Sequence, residues 1–425
     1  MAEGKPILVG GVGTGRIFTW GHLRIYPRLL DRARLVAFYD IDSGRAKSAM
    51  VKYAEGLKKY GAEHPEAASA VNDNLSQLAC YDSLDDLLAN VDLVDVCTTA
   101  RGRMPSAVAA LNRGVHSMLE KPMARTWTEA DRAVRAFNTT PDVYCQYNDD
   151  NVFDPKYRIL HNLLRQGVIG AVQSMWLIRG SELSATSVLK SQASGLENGG
   201  GCLMDYGSHG LAAAWYVLGL HNKITKVEAS KISVLHRNRV LEGEPFVMEV
   251  DDNARVKFLL EDPGTGRWTT LYLEASWCGG HIGNGTGEWG KRGGQAAGFL
   301  RIEGDEGVID ATEPDVITVT RWDGGETRVP VPQNPGERVS MTHEISDCLE
   351  SIRTNTAPEI DVEFGAEVVA ACGAAYLSAI RKRAVALDEF KQFCGEMVKA
   401  HGDGEQADDA VLDFLLSPYK LGAGE

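Results

Sequence analysis

No Cys-x-x-Cys pair occurs among the eight cysteines of this chain, Cys80, Cys97, Cys145, Cys202, Cys278, Cys348, Cys372 and Cys394. Their scatter suits reduced, buried thiols better than disulfides or structural zinc. Basic charge is also in deficit: 44 Lys and Arg stand against 58 Asp and Glu, a formal net charge of −14. That balance disfavours nucleic acid and anionic membranes as partners. No apolar run reads as long enough to cross a bilayer. The opening Met1-Ala2-Glu3-Gly4-Lys5-Pro6 lacks the basic and apolar regions of a signal peptide, so the cytoplasm is the expected location.

What is present is ordinary for a globular protein, with 44% apolar and 24% charged residues over 425 positions. That length exceeds the size at which one core stops growing, so at least two domains are expected. From residue 5 to about 147 strand and helix patterns alternate, as a doubly wound parallel sheet requires. The strands read as Lys5–Val12, Arg34–Tyr39, Asp92–Cys97, His116–Leu119 and Val143–Gln146. Helices read as Pro105–Asn112 and Thr128–Phe137. A helix over 155–167 follows, after which strands dominate: Val172–Ile178, Ile224–Val234, Asp252–Leu260, Trp268–Trp277, Gly298–Ile302 and Val316–Arg321. Helices return at Met341–Arg353 and Val362–Lys382. The expected fold is α/β, an N-terminal Rossmann doubly wound parallel sheet over 1–147 and a C-terminal α+β domain over 148–386 built on a largely antiparallel open sheet. Residues 387–425 form a helical tail whose Phe390, Phe393, Leu412, Phe414 and Leu415 need a surface to cover, on this subunit or a neighbour. Gly279–Gly298, rich in glycine and holding His281 and Trp289, reads as a long mobile loop: a surface excursion, a lid or a subunit contact.

The densest chemical signal lies near the amino terminus. In Val9-Gly10-Gly11-Val12-Gly13-Thr14-Gly15-Arg16-Ile17 an apolar strand runs into a glycine-rich turn. Such a turn lets backbone approach a phosphate, and amide N–H groups after it can point at a pyrophosphate. Glycine turns also join strands to helices in folds that bind nothing. The next strand, Arg34 to Tyr39, ends in Asp40, the placing of a carboxylate that accepts hydrogen bonds from an adenosine ribose. Asp40 would repel a ribose phosphate, which favours NAD over NADP, although Arg45 could partly offset that repulsion.

Glu120-Lys121-Pro122 ends another strand, on the side where open parallel sheets hold ligands. A lysine there can donate to a substrate oxygen, while a solvated Glu-Lys pair is the plainer reading. The second element is Gly199-Gly200-Gly201-Cys202-Leu203-Met204-Asp205-Tyr206-Gly207-Ser208-His209. If Asp205 opens a helix, Asp205 and His209 share a face one turn apart; a cap at Asp205 beside an unrelated histidine is the alternative. No third ligand stands at metal-binding spacing, so no metal is expected. Oxidation of a secondary alcohol needs a base for the hydroxyl proton, and histidine titrates near neutrality. His209 is therefore the expected base, Lys121 would steady the developing alkoxide, and Asp205 would orient the histidine or hold an adjacent hydroxyl.

Over roughly residues 5 to 385 the chain resembles the glucose-fructose oxidoreductase, inositol dehydrogenase and rhizopine-catabolism family, Gfo/Idh/MocA. The likeness rests on Gly13-Thr14-Gly15-Arg16-Ile17, the Asp40 strand end, Asp95 to Thr98, Gly114-Val115-His116, Glu120-Lys121-Pro122, Gly199 to His209 and Ile302 to Gly307, which stand in the family's order. The resemblance implies a nicotinamide cofactor bound by Gly13, Thr14, Gly15, Arg16, Ile17, Asp40, Arg45, Thr98, Glu120 and Lys121. It implies catalysis by Lys121, Asp205 and His209, a cis Lys121-Pro122 peptide, and a sugar, polyol or glycoside substrate in a homodimer or homotetramer. Several positions depart from the family's pattern. Phe18 replaces the third small residue of the fingerprint, so the first helix must pack differently. Thr99 and Arg103 stand where proline and histidine are common, and Arg103 either meets substrate or cofactor or is solvated, the latter preferred. Asp149, Asp150 and Asn151 replace an arginine-bearing segment. Trp20, His22, Tyr147 and Asn148 are further candidates for contact with a sugar ring. The expected activity is an NAD-dependent sugar or polyol dehydrogenase. A redox-assisted glycosidase and a non-catalytic sugar or nucleotide sensor are the alternatives.

Overall fold

The computed structural model describes residues 4–180, 189–278, 299–333 and 338–420. The chain forms two compact units, neither continuous in sequence. The first comprises Met1–Met123, Ala130–Asp150 and Gly336–Ala366; the second comprises Ala124–Glu129, Asn151–Pro335 and Glu367–Glu425. The expected boundary near 147 lies close to Asp150. The return of 336–366 to the first unit left no sign in the local pattern.

In the first unit β1 (Ile7–Val12), β2 (Ala33–Tyr39), β3 (Ala79–Cys80), β4 (Leu93–Val96), β5 (His116–Glu120) and β6 (Cys145–Asn148) form one sheet in the order β3-β2-β1-β4-β5-β6. Every pairing is parallel. The order reverses at β1, so the carboxyl ends of β1 and β4 flank the switch point where doubly wound sheets hold their ligands. The central strands β1, β2 and β4 are largely apolar because both faces of the sheet are covered there. The helix Val339–Thr354 contributes Met341, Ile345, Cys348, Leu349 and Ile352 to the same core as Ile7, Val9 and Phe38. Burying each such aliphatic side chain is worth about 1.5–3 kcal/mol, which is why this distant stretch joins the unit.

Two local expectations change here. The helix placed at Pro105–Asn112 starts at Ala100 and runs to Leu111, with Pro105 inside it. Proline is favoured in a first turn, but here the preceding residues hold the helix ahead of it. The helix after the glycine turn is only Arg16–Trp20, followed by 3-10 turns at His22–Arg24 and Tyr26–Arg28. Phe18 explains this: its buried ring lies against Gly11, where a Cβ would come within 2.3 Å, and stands edge-on to Phe38 at 6.3 Å.

The second unit is built on a nine-stranded sheet. Its strands are β7 (Val172–Gly180), β8 (Lys223–Ser233), β11 (Asn253–Glu261), β12 (Trp268–Ser276), β13 (Phe299–Gly304), β14 (Gly307–Asp310), β15 (Val316–Arg321), β16 (Glu326–Pro330) and β17 (Val385–Ala386). Between β8 and β11, β9 (Asn238–Leu241) and β10 (Glu244–Val247) form a separate hairpin. The order in the large sheet is β16-β15-β14-β13-β7-β12-β11-β8-β17. It is antiparallel except for β7 with β12. Helices Pro155–Arg165 and Ser208–Leu218 belong to this unit. The tail, read as a separate addition, folds as helices Leu387–His401 and Glu405–Leu416 within the same unit. Phe390 lies against Gly373, and Phe393 meets Phe414 at 5.0 Å, so its apolar face is covered largely by its own chain. One helix, Val362–Arg381, does reach bilayer-crossing length and apolarity, against the expectation that no run would; it is mostly buried, as in a core helix. All eight cysteines are free. Gly279–Gly298, read as a long loop, lies outside the described residues.

Candidate active site

Gly13 leaves β1 at φ +80°. A Cβ there would stand 2.7 Å from the Thr98 amide nitrogen, so only glycine brings this turn against the end of β4. Gly15 precedes the short helix, and a Cβ on it would meet nothing within 4 Å, which leaves one side of the turn open. Arg16 is exposed and Ile17 half-buried beside that opening. Asp40 is buried at the end of β2 and ties the turn down. Its Oδ2 accepts from the Thr14 amide at 2.8 Å and from the Thr14 hydroxyl at 3.3 Å, and its Oδ1 accepts from the Asp42 amide at 3.0 Å. A carboxylate offers about four acceptor directions, so about one remains for a ribose hydroxyl. The open glycine turn with a carboxylate at the neighbouring strand end fits a dinucleotide. Arg45 is solvated at the start of the helix Ser43–Glu63, 3.5 Å from Asp42.

At the end of β5, Lys121 is half-buried and the Lys121-Pro122 peptide is cis. The Lys121 amide donates to Glu120 Oε2 at 3.1 Å, and Arg103 donates to the Pro122 carbonyl. Arg103 is thus buried on the backbone of this turn, which corrects its reading as solvated. A guanidinium can be buried here because a carbonyl accepts from it and Glu120 lies nearby.

His22 is also corrected. It is fully buried, with Nδ1 2.9 Å from Asp95 and Nε2 3.0 Å from Glu120 Oε1, so it faces carboxylates rather than an open cleft. Tyr26 donates to Asp95 at 2.8 Å in the same cluster. Burial alone would lower the His22 pKa, but the Asp95 charge and hydrogen bond carry it well above the usual value. Burial pushes the Glu120 carboxyl up, yet His22, with Arg103 and Lys121, brings it down to about 2. Tyr147 and Asn148 are buried as well: Tyr147 packs beside Phe364 and Gly365, and Asn148 accepts from Gln146 at 3.0 Å. β6 is an edge strand of its sheet, yet all of its residues are buried, so its side chains are spent on packing within the unit. Trp20, by contrast, is 52% exposed, with the Arg338 guanidinium 3.4 Å above its ring.

In the second unit the segment Gly199 to His209 forms a wide turn, not a plain helix start. Leu203–Gly207 is a π-helix, and the α-helix begins at Ser208. Such insertions of one residue occur often at functional sites. Asp205 is buried inside the π-turn, where its Oδ2 accepts from the Trp277 indole at 3.2 Å, so it is not the helix cap. His209 is half-buried, with Nδ1 2.8 Å from the Asn151 amide nitrogen. Asn151 is a partner that spacing could not reveal, because it lies 58 residues away. The turn hangs on Asp251, which accepts from the amides of Gly201 at 3.0 Å and Leu203 at 2.9 Å, from Cys202 Sγ at 3.2 Å and from Tyr376 at 2.5 Å. Burial raises the Asp251 pKa against those four bonds. A Cβ on Gly201 would fall 1.9 Å from the Asp251 carbonyl oxygen, which explains that glycine. Lys121 thus sits in the first unit and the Asp205–His209 pair in the second.

Comparison with known proteins adds to this geometry. Residues 7–148 match the model of an oxidoreductase family described as having an NAD-binding Rossmann fold, and residues 157–309 match the GFO/IDH/MocA C-terminal domain. Inositol 2-dehydrogenase of Salmonella typhimurium is 28% identical over 179 residues, 42% of this chain and 46% of that protein. A 4-carboxy-2-hydroxymuconate-6-semialdehyde dehydrogenase of Sphingobium is 29% identical over 140 residues, 33% of this chain and 38% of that protein. The matches span less than half the length of these relatives. Among solved structures, an oxidoreductase domain protein from Kribbella flavida superposes with a TM-score of 0.72 at 19% identity, covering 90% of this chain and 99% of its own. Levoglucosan dehydrogenase, solved with NADH and levoglucosan, gives 0.71 at 17% identity over 91% of this chain and all of its own.

Proposed function

Because the chain belongs to the Gfo/Idh/MocA family of NAD-binding oxidoreductases, we propose that it is an NAD-dependent dehydrogenase acting on a secondary hydroxyl of a sugar, polyol or glycoside. The observation that carries this reading is the π-turn in which buried Asp205 and half-buried His209 stand four residues apart, in a chain whose other unit is an NAD-binding domain. Relatives named for inositol and levoglucosan support the substrate class.

When bound, NAD supplies the acceptor for the hydride. The Gly13 and Thr14 amides are spent on the Tyr39 carbonyl and Asp40, which shapes the turn, so the Gly15 amide would face the pyrophosphate and Asp40 would accept from the ribose. His209 takes the hydroxyl proton at Nε2. For that, Nδ1 carries the ring proton and donates to Asn151 Oδ1, the amide orientation that exchanges the nitrogen now facing the ring for oxygen without moving the side chain. Lys121 donates to the substrate oxygen as negative charge develops on it. Asp205, fixed by Trp277, holds a neighbouring hydroxyl. The exposed aromatics of the large sheet, Trp176 stacked on Tyr272 at 3.9 Å and Trp268 nearby on β12, suit a homo-oligomer formed through that sheet.

The test is NADH absorbance during incubation with NAD and a panel of polyols, aldoses and anhydrosugars, with His209→Ala as control. NADH formation that the variant loses supports the proposal. Release of an aglycone without net NADH assigns a glycosidase instead, and sugar binding without turnover assigns a sensor.

A further inference from the structure

The buried cluster around His22 has no part in the steps above, yet it ends on the residue next to Lys121. We propose that His22 is a positioning residue for Lys121: its doubly protonated ring bridges Asp95 and Glu120, and Glu120 in turn fixes the lysine backbone. The proposal deepens the dehydrogenase reading and rests on it for the role of Lys121.

The argument begins with proton count. A neutral imidazole has one N–H, but both ring nitrogens of His22 lie at hydrogen-bond distance from carboxylates, Nδ1 at 2.9 Å from both Asp95 oxygens and Nε2 at 3.0 Å from Glu120 Oε1. A lone pair at either nitrogen would face a negative oxygen, so both nitrogens donate and the ring is an imidazolium. It links the ends of the adjacent parallel strands β4 and β5 to the turn that follows the glycine loop. Glu120 then spends its second oxygen on the Lys121 amide, at 3.1 Å, while Arg103 donates to the Pro122 carbonyl. The Lys121-Pro122 backbone is therefore held on both sides by charged groups, and charge-assisted bonds of this kind are about twice as strong as neutral ones.

Glu344, from the helix Val339–Thr354, sets the balance of the cluster. It is buried, its Oε1 lies 3.9 Å from His22 Nε2, and among the described residues neither of its oxygens has a hydrogen-bond partner. Burial, the Glu120 charge and the more distant charges of Asp149 and Asp150 raise its pKa well above the usual range. A neutral Glu344 leaves the Nε2–H to Glu120. The other groups that face the ring are Cys97 Sγ at 3.7 Å and, through Asp95, Tyr26. Arg103 and Lys121 add positive charge beside Glu120.

The experiment uses the full chain. His22→Gln can donate from one nitrogen only, so kcat is expected to fall roughly a hundredfold while the NADH Kd stays within about twofold, as for a misplaced catalytic group in an intact cofactor site. Unchanged kcat with a lower thermal midpoint would make His22 a structural residue and overturn the proposal. Should that variant not fold, nitrogen-15 NMR of the histidine rings in the wild-type protein decides. Both His22 nitrogens protonated at pH 8 supports the bridge, and a neutral ring at pH 7 overturns it. A rise in thermal midpoint on adding Zn²⁺, lost in Glu344→Gln, would make the cluster a metal site and overturn it as well. Lys121→Ala with unchanged kcat removes the premise and overturns the positioning role, while the ring-nitrogen signature would still report the bridge, so the two failures are distinguishable.

Discussion

Replacing Asp40 by alanine separates two roles that this carboxylate combines. It accepts three hydrogen bonds within the protein, two from Thr14 and one from the Asp42 amide, and it has about one acceptor direction left for the ribose. Leaving the buried Thr14 amide without an acceptor costs about 1–3 kcal/mol. Losing a hydrogen bond from the ribose to a charged group costs a further 1.5–3 kcal/mol or so in binding, a factor of about 10 to 150 in Kd. Fluorescence titration with NADH reads the second effect, and a thermal melt without cofactor reads the first. Asp40→Asn sharpens the comparison. Its amide oxygen can keep the Thr14 bond, but its nitrogen then faces the Asp42 N–H and the negative charge is gone. Asparagine is therefore expected to recover stability without recovering affinity, and to discriminate less against NADP. A folded Asp40→Ala that binds NADH as tightly as the wild type would refute the ribose contact and leave Asp40 as a strut for the turn.

The other predictions are more compact. His209→Ala should lower kcat by roughly 10²–10⁴ at saturating NAD with the NADH Kd unchanged, the range for a lost general base; unchanged turnover removes His209 from that role. Gly201→Ala should destabilise the protein by about 1–3 kcal/mol, because the new methyl meets the Asp251 carbonyl oxygen, and the melt should show it even without cofactor. Stability should fall as pH rises above neutrality. His22 and Glu344 both have raised pKa values, so the folded chain keeps protons that the unfolded chain has released, and each retained proton costs about 1.4 kcal/mol per pH unit until its folded pKa is passed. Glu120 acts oppositely: its stabilisation is present above the ordinary carboxylate range and is lost as pH falls toward about 2. Melts of wild type and Glu344→Gln across pH 6 to 9, roughly the window that separates these groups, should show a shallower decline in the variant.

Much of the fold was legible because it follows from local pattern. The parallel strands of the first unit are short apolar runs between turn residues, and β1, β2, β4 and β5 begin or end within a few residues of where alternation and glycine placed them. The long strands of the second unit were equally visible. The pairing of β7 with β12 in parallel was not, since strand direction depends on connections rather than on side-chain pattern. The helix Val339–Thr354 was found as a helix but not as part of the first unit. Its periodicity shows that it has an apolar face, and nothing in the local sequence names the core that the face covers.

The site divides along the same line. Gly13 and the Asp40 strand end were legible because a backbone that must approach a phosphate or turn at positive φ restricts the residue type directly. His22, read as a sugar contact, and Arg103, read as solvated, were both misplaced because only long-range partners decide what a polar residue near a turn faces. Asp95 lies 73 residues from His22, Glu120 lies 98 away, and Glu344 comes from a segment that returns to the unit after the second has been built. The same holds for Asp251, which supports the Asp205 turn from 48 to 50 residues downstream. Backbone requirements are written locally, while the groups that fix charge and proton position are assembled by the fold. In this chain the first kind shapes the glycine turn, and the second kind ties down the Asp205 turn and the backbone at Lys121.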